Sequence, residues 1–475
     1  MKKSGFILLS FFLVTITFAQ RIQYSRQTFR SPFADIVQLM SSVGGNHHVL
    51  CFSENKKPLV YVFDKALQSV TEKEIDVKLK TGCDIRTLLF KDYYLLYLHV
   101  PGTTLHQLFK VKSEGDTEDV SQVFLNNADS LWNHSTATFQ LYKNNNRLTM
   151  VTHAYFDTIK SFCSRIINYD EELKATQTNT LFFPYDKDVD YLQQINLSGN
   201  ALLALKTYRD LEHGNSLALV KVNVTSGEVT TTSFASGQLV YSNTAIQFNE
   251  ADTTFLLYSV LREAVTTSRF QRRILVAQMD SGLQVKKPLT TLQLPFRSNI
   301  AAGFLLINGV QPQWLQVQSF FRVRAFGGRF PSPSLANPYD PWNLRNYPVQ
   351  PYGYESQIER NMPSAVHFAV VNNDFTGMKD SVAENRGSFY EVQPRPYGQF
   401  TLGKKAYLLM IENFSTKRHG LILFSGYETG LSTTNLPVFD RYDYMLPQVR
   451  AEKNYFILPY AHKREIGLIK ITLDN

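Results

Sequence analysis

Cysteine, charge and long hydrophobic runs are all scarce in this chain. Cys51, Cys83 and Cys163 are the three cysteines among 475 residues, too few for a disulfide framework in a chain of this size. At most one pair can form, and no Cys-x-x-Cys spacing supports a thiolate zinc site. Cys51 and Cys163 fall inside strand-like runs and read as small buried hydrophobes. Charged residues make up 19% and the net charge is +8, or +6 without Lys2 and Lys3. That excess suits acidic partners but is too thinly spread to name nucleic acid. Beyond the N-terminal region no window approaches the roughly 20 apolar residues of a membrane-spanning helix.

Catalytic strings are missing too. There is no Gly-x-Ser-x-Gly, no His-Glu-x-x-His, no phosphate-cradling Gly-x-x-x-x-Gly-Lys and no dinucleotide glycine fingerprint. No cofactor is therefore expected. The run DKDVD (186–190) spaces its carboxylates like the start of a calcium loop. Tyr191 stands where that loop needs glycine and Leu197 where it needs its bidentate glutamate, which excludes an EF-hand and leaves only a looser site.

What is present begins with an export signal. Lys2 and Lys3 precede an apolar run from Phe6 to Val14, and Ala19 marks a small-residue cut. This is the pattern of a secretory signal peptide over 1–19, so the mature chain starts near Gln20 and works in the periplasm, at the cell surface or outside the cell. No cysteine follows the cut to carry a lipid. The style of the signal is bacterial, so the four Asn-x-Ser/Thr sequons are read as silent.

Aromatics at 13% favour a large buried sheet core. The stretches 38–54, 88–99, 139–152, 195–207, 246–259, 304–320, 400–412 and 447–460 each read as a short alternating run, a polar turn and a strongly apolar run. Each is a β-hairpin signal. Their turns, near Gly45, Asp92, Asn145, Gly199, Glu250, Gly309, Gly403 and Glu452, are spaced by 47, 53, 54, 51, 59, 94 and 49 residues. A third apolar run follows each hairpin, and a more polar fourth usually follows that, as in VTEKEIDV (70–77) and EVTTTSFA (228–235).

Four strands recurring about every 50 residues is the pattern of propeller blades. The chain thus resembles β-propeller proteins in general over nearly all of its mature length. The marks of WD40 and sialidase-type blades are absent, so the resemblance implies a fold and no activity. The expectation is an all-β, single-domain β-propeller over 20–475 with about eight four-stranded blades, seven being the alternative count and a pair of sandwiches the alternative fold. The last repeat stops after three strands, and RIQYSRQTF (21–29) is spare. Pairing the two would close the ring and remove two exposed edges.

The 94-residue spacing marks an insertion, at about 324–362, between the second and third strands of the sixth repeat. Its centre, FPSPSLANPYDPWNLRNYPVQPYGY (330–354), packs six prolines and six aromatics into 25 residues. Proline stiffens such a loop, and aromatic and arginine side chains are what recognition surfaces are made from. Arg322, Arg324, Arg329, Tyr339, Trp342, Arg345, Tyr347, Tyr352 and Tyr354 are the ligand-binding candidates. Basic loops at 262–273, 415–420 and 461–467 are expected at the same end of their blades, with His99, His106, His153 and His213 in equivalent connections.

The function expected is non-enzymatic binding of a protein or glycan, by a monomer, through the face carrying the insertion. One alternative is a glycan-cleaving enzyme. Asp35, Asp84, Asp129, Asp188, Asp190, Asp440 and Asp443 fall in connections that lead into innermost strands, and paired carboxylates about 5 to 9.5 Å apart would suffice. Asp190 and Asp443 are its candidate pair. The other alternative is a scaffold within a cell-envelope assembly.

Overall fold

The computed structural model describes residues 21–30, 36–52, 57–77, 84–99, 106–125, 138–144, 147–210, 214–237, 239–249, 253–263, 273–293, 313–318, 364–371, 378–385, 398–402, 405–415, 418–427, 430–439 and 441–473. They form eight antiparallel sheets, seven of them meanders of strands in sequence order and the eighth joining the two ends of the chain. Sheet 1 runs through Ile36–Val43, Asn46–Phe52, Pro58–Phe63 and Ser69–Glu74; sheet 2 through Asp84–Leu89, Tyr93–His99, His106–Lys112 and Thr117–Asp119. Sheet 3 comprises Thr138–Asn144, Arg147–Phe156, Ser161–Tyr169 and Ala175–Pro184; sheet 4 comprises Asp190–Ser198, Ala201–Asp210, Gly214–Asn223 and Val229–Gly237.

Sheet 5 follows with Leu239–Asn249, Thr254–Glu263, Arg273–Met279 and Val285–Gln293. Sheet 6 shows three strands, Gln313–Gln318, Ser364–Val371 and Met378–Asn385; sheet 7 has Gly398–Leu402, Lys405–Ser415, Arg418–Tyr427 and Gly430–Leu436. Sheet 8 joins Asp443–Tyr444 and Arg450–Ala451 to Tyr455–His462, Glu465–Thr472 and the N-terminal Arg21–Tyr24 and Phe29–Arg30. This is the all-β, blade-like class of fold that the repeat implies. DYLQQINL (190–197), which as a short apolar run also suits a helix start, is strand.

The strand faces follow from composition. Middle strands are the most apolar and most buried, Pro58–Phe63 at every position. Outer strands such as Ser69–Glu74 and Val229–Gly237 are mostly exposed. Within each unit the middle strands are covered where neighbouring sheets pack on each other.

The described residues fall into two compact units. One draws on Met1–Lys78, Pro396–Phe424 and Thr433–Asn475, the other on Leu79–Arg395 and Ser425–Ser432. In the second unit, Tyr97 and Leu108 of sheet 2 pack with Met150 and Ile167 of sheet 3. Val151, Leu181 and Phe183 of sheet 3 meet Leu202 and Val220 of sheet 4, and Leu205 and Leu219 meet Leu257 and Leu275 of sheet 5. In the first unit, Val49 and Tyr61 of sheet 1 pack against Ile457 and Leu468 of sheet 8, which also packs on sheet 7. Each such fully buried side chain contributes about 1.5–3 kcal/mol.

The chain ends pair as the spare run implies. Arg21 to Tyr24 lie opposite Thr472 to Ile469, and Phe29 lies opposite Ile466. Tyr24 Oη accepts from Phe439 N (2.8 Å) and bonds Tyr444 Oη (2.9 Å), which donates on to Phe439 O (2.8 Å). Ser25 exchanges bonds with Leu468 (Ser25 N to Leu468 O, 2.8 Å; Leu468 N to Ser25 Oγ, 3.2 Å). Gly467 is required there, because a Cβ would collide with the Tyr460 ring and Ser25 Oγ.

The third-to-fourth strand turns share one design. In sheets 1, 3 and 5 they are DKALQ (64–68), DEELK (170–174) and DSGLQ (280–284). Asp64 Oδ1 accepts from Ala66 N and Gln68 N, and Asp280 Oδ1 from Gly282 N and Gln284 N, all at 2.8–2.9 Å; Asp170 Oδ1 accepts from Lys174 N at 2.8 Å. Leu67, Leu173 and Leu283 then adopt φ of 58°, 60° and 64°. A three-residue hairpin loop ends in this left-handed conformation, usually on glycine. Sheets 2 and 4 do use Gly115 (φ 83°) and Gly227 (φ 71°). Leucine pays a steric cost of about 1–2 kcal/mol for that φ. Burial offsets it, since Leu67 and Leu283 are sealed in the core.

Candidate functional site

The best-defined cluster of exposed apolar and charged groups lies where sheets 3 and 4 join. On one side is the connection between the second and third strands of sheet 3: a single 3-10 turn, Asp157–Ile159, ended by Lys160 at φ 46°. On the other is the link into sheet 4, YDKDVD (185–190). There Asp186 O accepts from Val189 N (3.0 Å) and Asp190 N (2.6 Å), and Asp186 Oδ1 from Asp188 N (3.1 Å), so the run closes into one tight turn.

Two lysine–aspartate pairs lock the two connections together, and a third ties the link to the second strand of sheet 4. Lys160 Nζ reaches Asp186 Oδ2 at 2.6 Å, Lys187 Nζ reaches Asp157 Oδ2 at 2.5 Å, and Lys206 Nζ reaches Asp190 Oδ2 at 2.8 Å. Lys160 O accepts from Tyr185 N (3.0 Å), and Tyr155 Oη donates to Asp157 Oδ1 (3.1 Å). Lys187 beside Asp157, and Lys160 beside Asp186, hold those carboxyls below their ordinary values, while the lysines are raised in return. Underneath, Tyr185 meets Tyr155 and Phe162 edge-on at 5.5 and 5.6 Å. On this bracket Ile159, Val189 and Tyr191 stand 57%, 46% and 56% exposed. Ile159 stands on the 3-10 turn, Val189 on the link and Tyr191 at the second position of the strand that follows.

Asp190 sits at the first position of its strand, as Asp84 and Asp443 do in sheets 2 and 8. Its carboxylate is buried and tied: one oxygen takes both Lys206 Nζ and Asp186 N (2.9 Å), and Lys206 also donates to Pro184 O (3.1 Å). Asp443 is exposed in the other unit, opposite Ala461, on a strand of two residues. Beside it Tyr442 stacks on Tyr460 (4.6 Å) and touches His462 (4.7 Å), and Phe439 leans on Tyr24 (4.6 Å) with 57% exposure. Lys463 and Arg464 form the adjoining two-residue hairpin turn, both with positive φ (48° and 70°).

The histidines divide. His99 and His106 do flank a second-to-third connection, facing each other across their hairpin with rings parallel at 4.5 Å, and Tyr97 Oη bonds His106 Nδ1 at 2.7 Å. Burial, with His99 next to it, lowers His106 to about 4. His153 instead lies inside its strand, three residues short of the connection, because that strand is ten residues long. It is buried, bonded through Nδ1 to Ser164 Oγ (2.8 Å), and its Nε2 has no partner. Cys51 and Cys163 are buried, and burial pushes the Cys163 thiol up to about 11.

Arg322, Arg324, Arg329, Tyr339, Trp342, Arg345, Tyr347, Tyr352 and Tyr354 lie outside the described residues, as do Cys83, His213, Asp35, Asp129 and Asp440. The strands that flank the insertion are described. Gln318 pairs with Ala365, so 319–363 connects Gln313–Gln318 to Ser364–Val371, the first two described strands of sheet 6. Among the described residues no group of three or more His, Cys, Asp or Glu side chains is arranged to hold a metal ion, and no helix is long and apolar enough to cross a membrane. The bracket at sheets 3 and 4 has no signature in sequence, since its partners lie up to 30 residues apart in unrelated loops.

No protein-family model matches the chain, and no curated protein matches it in sequence. Solved structures align with it over most of its length at low identity. The WD40 domain of SCAP from fission yeast is 7% identical, with 96% of this chain and 98% of that one covered and a TM-score of 0.41. An ulvan lyase, representing a new family of polysaccharide lyase, is 8% identical, with 86% and 98% covered and a TM-score of 0.41. A mutant of Synechocystis apocarotenoid oxygenase is 9% identical, with 89% and 94% covered and a TM-score of 0.39. The class that the chain's own strands define is a series of blade-like, four-stranded antiparallel sheets.

Proposed function

We propose that this chain is an exported, non-enzymatic interaction module, working in the periplasm or outside the cell. It recognises a protein partner at the sheet ends where second-to-third connections and sheet-to-sheet links emerge. The observation that carries this reading is the bracket at sheets 3 and 4. Exposed apolar side chains framed by charged pairs have the make-up of a protein interface, an apolar centre with a polar rim. The 324–362 insertion leaves sheet 6 from the topologically equivalent end, and its stiff aromatic and arginine composition suits the same task. The glycan-cleaving alternative is less well supported, because Asp190 is already bound by Lys206 and Asp186 N.

The test is site-specific photo-crosslinking in the native envelope from positions 159, 191 and 342, with 226 as a control at the opposite sheet end. One partner should be captured from the first three and not from the control. Deleting 330–354 should leave the thermal midpoint unchanged and abolish capture. Equal capture from position 226, or capture untouched by the deletion and by Tyr191→Ala, would overturn the reading.

A further inference from the structure

Between sheets 3 and 4, at the turn end opposite the bracket, lies a cleft of about 270 Å³. Its apolar lining includes Ile166 and Leu197; its polar lining consists of Asn168, Gln177, Asn200 and Thr225. No charged side chain contributes to it. That is unusual in a turn region of this chain, where Asp, Glu and Lys occupy most tips.

The polar groups are built in to different degrees. Asn200 is fixed on both sides, its Nδ2 donating to Asn223 Oδ1 (3.3 Å) and its Oδ1 accepting from Thr225 Oγ1 (3.1 Å). Asn168 Oδ1 accepts from Thr149 Oγ1 (2.7 Å), which orients the amide and leaves its NH2 outside that bond. Gln177 is exposed on the outer strand of sheet 3. Two residues along, on the same strand face, Asn179 is the register partner of the cleft-lining Ile166, and its Nδ2 is shut off from solvent without a hydrogen-bond partner. Asn179 itself is not part of the lining, so the amides that meet a ligand in the cleft are those of Asn168, Gln177 and Asn200.

We infer that this cleft binds a neutral saccharide, at a site separate from the partner surface proposed above. Amide side chains both donate to and accept from hydroxyls, so they match a polyol without needing charge. The apolar floor suits the hydrophobic face of a sugar ring, and the volume admits one ring with part of a second. An acidic glycan would find no cation in the lining, and a cationic ligand no carboxylate.

The experiment uses the full mature chain against a panel of neutral oligosaccharides of glucose, mannose, galactose and xylose, with uronic-acid and sulfated oligosaccharides alongside, read by isothermal titration and by NMR shifts. At least one neutral oligosaccharide should bind. Gln177→Ala combined with Thr225→Ala, both exposed positions that leave the core intact, should weaken it about tenfold or more. Asn168→Asp should weaken it as well, because a carboxylate cannot replace the donor. Tyr191→Ala, on the partner surface, should bind the sugar as the parent does, so the two readings fail separately. No neutral oligosaccharide bound, binding confined to the acidic ones, or neutral binding unchanged in the double variant would each overturn the inference.

Discussion

The two ends of sheets 3 and 4 are built by opposite means. At the third-to-fourth turns the chain folds on itself within five or six residues: Asp170 or Asn223 caps the next amides, and Leu173 or Gly227 takes the left-handed corner. At the other end, residues 16 to 30 positions apart are cross-linked by lysine–aspartate pairs, and apolar side chains are left in water. The first end is closed by local backbone chemistry and repeats from sheet to sheet. The second is fixed by contacts specific to one pair of sheets, and it leaves Ile159, Val189 and Tyr191 exposed side by side.

The sharpest way to break this contrast is to remove Lys206. Its side chain and that of Asp190 are 14% and 8% exposed, and taking one partner from a buried pair strands the other charge, at a cost of about 3–5 kcal/mol. Lys206→Met should lower the urea midpoint by the largest amount of any variant considered. Adding Asp190→Leu should recover part of the loss, because the stranded carboxylate is then gone. If Lys206→Met alone is neutral, the pair is not what ties the sheet 4 link down.

The turns give intermediate effects of predictable sign. Leu67→Gly relieves about 1–2 kcal/mol of backbone strain but forfeits about 1.5–3 kcal/mol of burial, so a net loss near 1 kcal/mol is expected in urea unfolding. Gly227→Ala in sheet 4 should cost a similar amount for a different reason. A Cβ there meets nothing within 4 Å, so only the φ of 71° is penalised. Asp280→Ala removes two side-chain bonds to amides and should cost about 1–2 kcal/mol. A stabilised Leu67→Gly would mean that the leucine corner is tolerated and contributes nothing.

These effects also show why one end was readable from residues and the other was not. Strands and hairpins were legible because apolar alternation and polar turns are local signals, and the pairing of 21–24 with the C-terminal strand followed from a missing fourth strand. The Asp-x-x-Leu corner was overlooked although it is local. Asp64, Asp170 and Asp280 are 106 and 110 residues apart, about two repeat lengths, and a search at a period near 50 passes over a feature that alternates. His153 was placed in a connection because strand length is not written in any one residue. The bracket was invisible for a deeper reason: Lys160, Lys187 and Lys206 look like any surface lysines until the fold brings Asp186, Asp157 and Asp190 to them.

Acid should act through buried histidines in sheets 1 and 3. His153 and His47 are buried, and burial lowers them from 6.5 to about 3 and about 4. A histidine whose folded value is depressed binds its proton more readily when unfolded, so its contribution to stability is complete above about 6.5 and is lost as pH falls from there toward the folded value. The thermal midpoint should therefore drop between pH 6.5 and 4. His153→Gln should flatten that drop, at the expense of a lower midpoint at neutral pH; an unchanged slope would show that His153 does not carry it.

The smallest effect on global stability, and the most telling for function, is expected from Lys187→Ala. Lys187 and Asp157 are 48% and 62% exposed, and exposed pairs add little to folding, so the midpoint should hardly move. Asp157 and Asp186 are held low by their lysines, so whatever each pair contributes is present above the ordinary carboxylate range and fades as pH falls through the lowered values. What the pair does is fix the 157–160 turn against the 185–190 turn. Losing it should speed amide hydrogen exchange at Val189 and Asp190 and leave exchange at the Asp280 corner as it was. Partner capture from position 191 should weaken in parallel. Fast exchange with undiminished capture would mean that the partner does not need the bracket preformed, and the exposed set would then be an incidental feature of two loops.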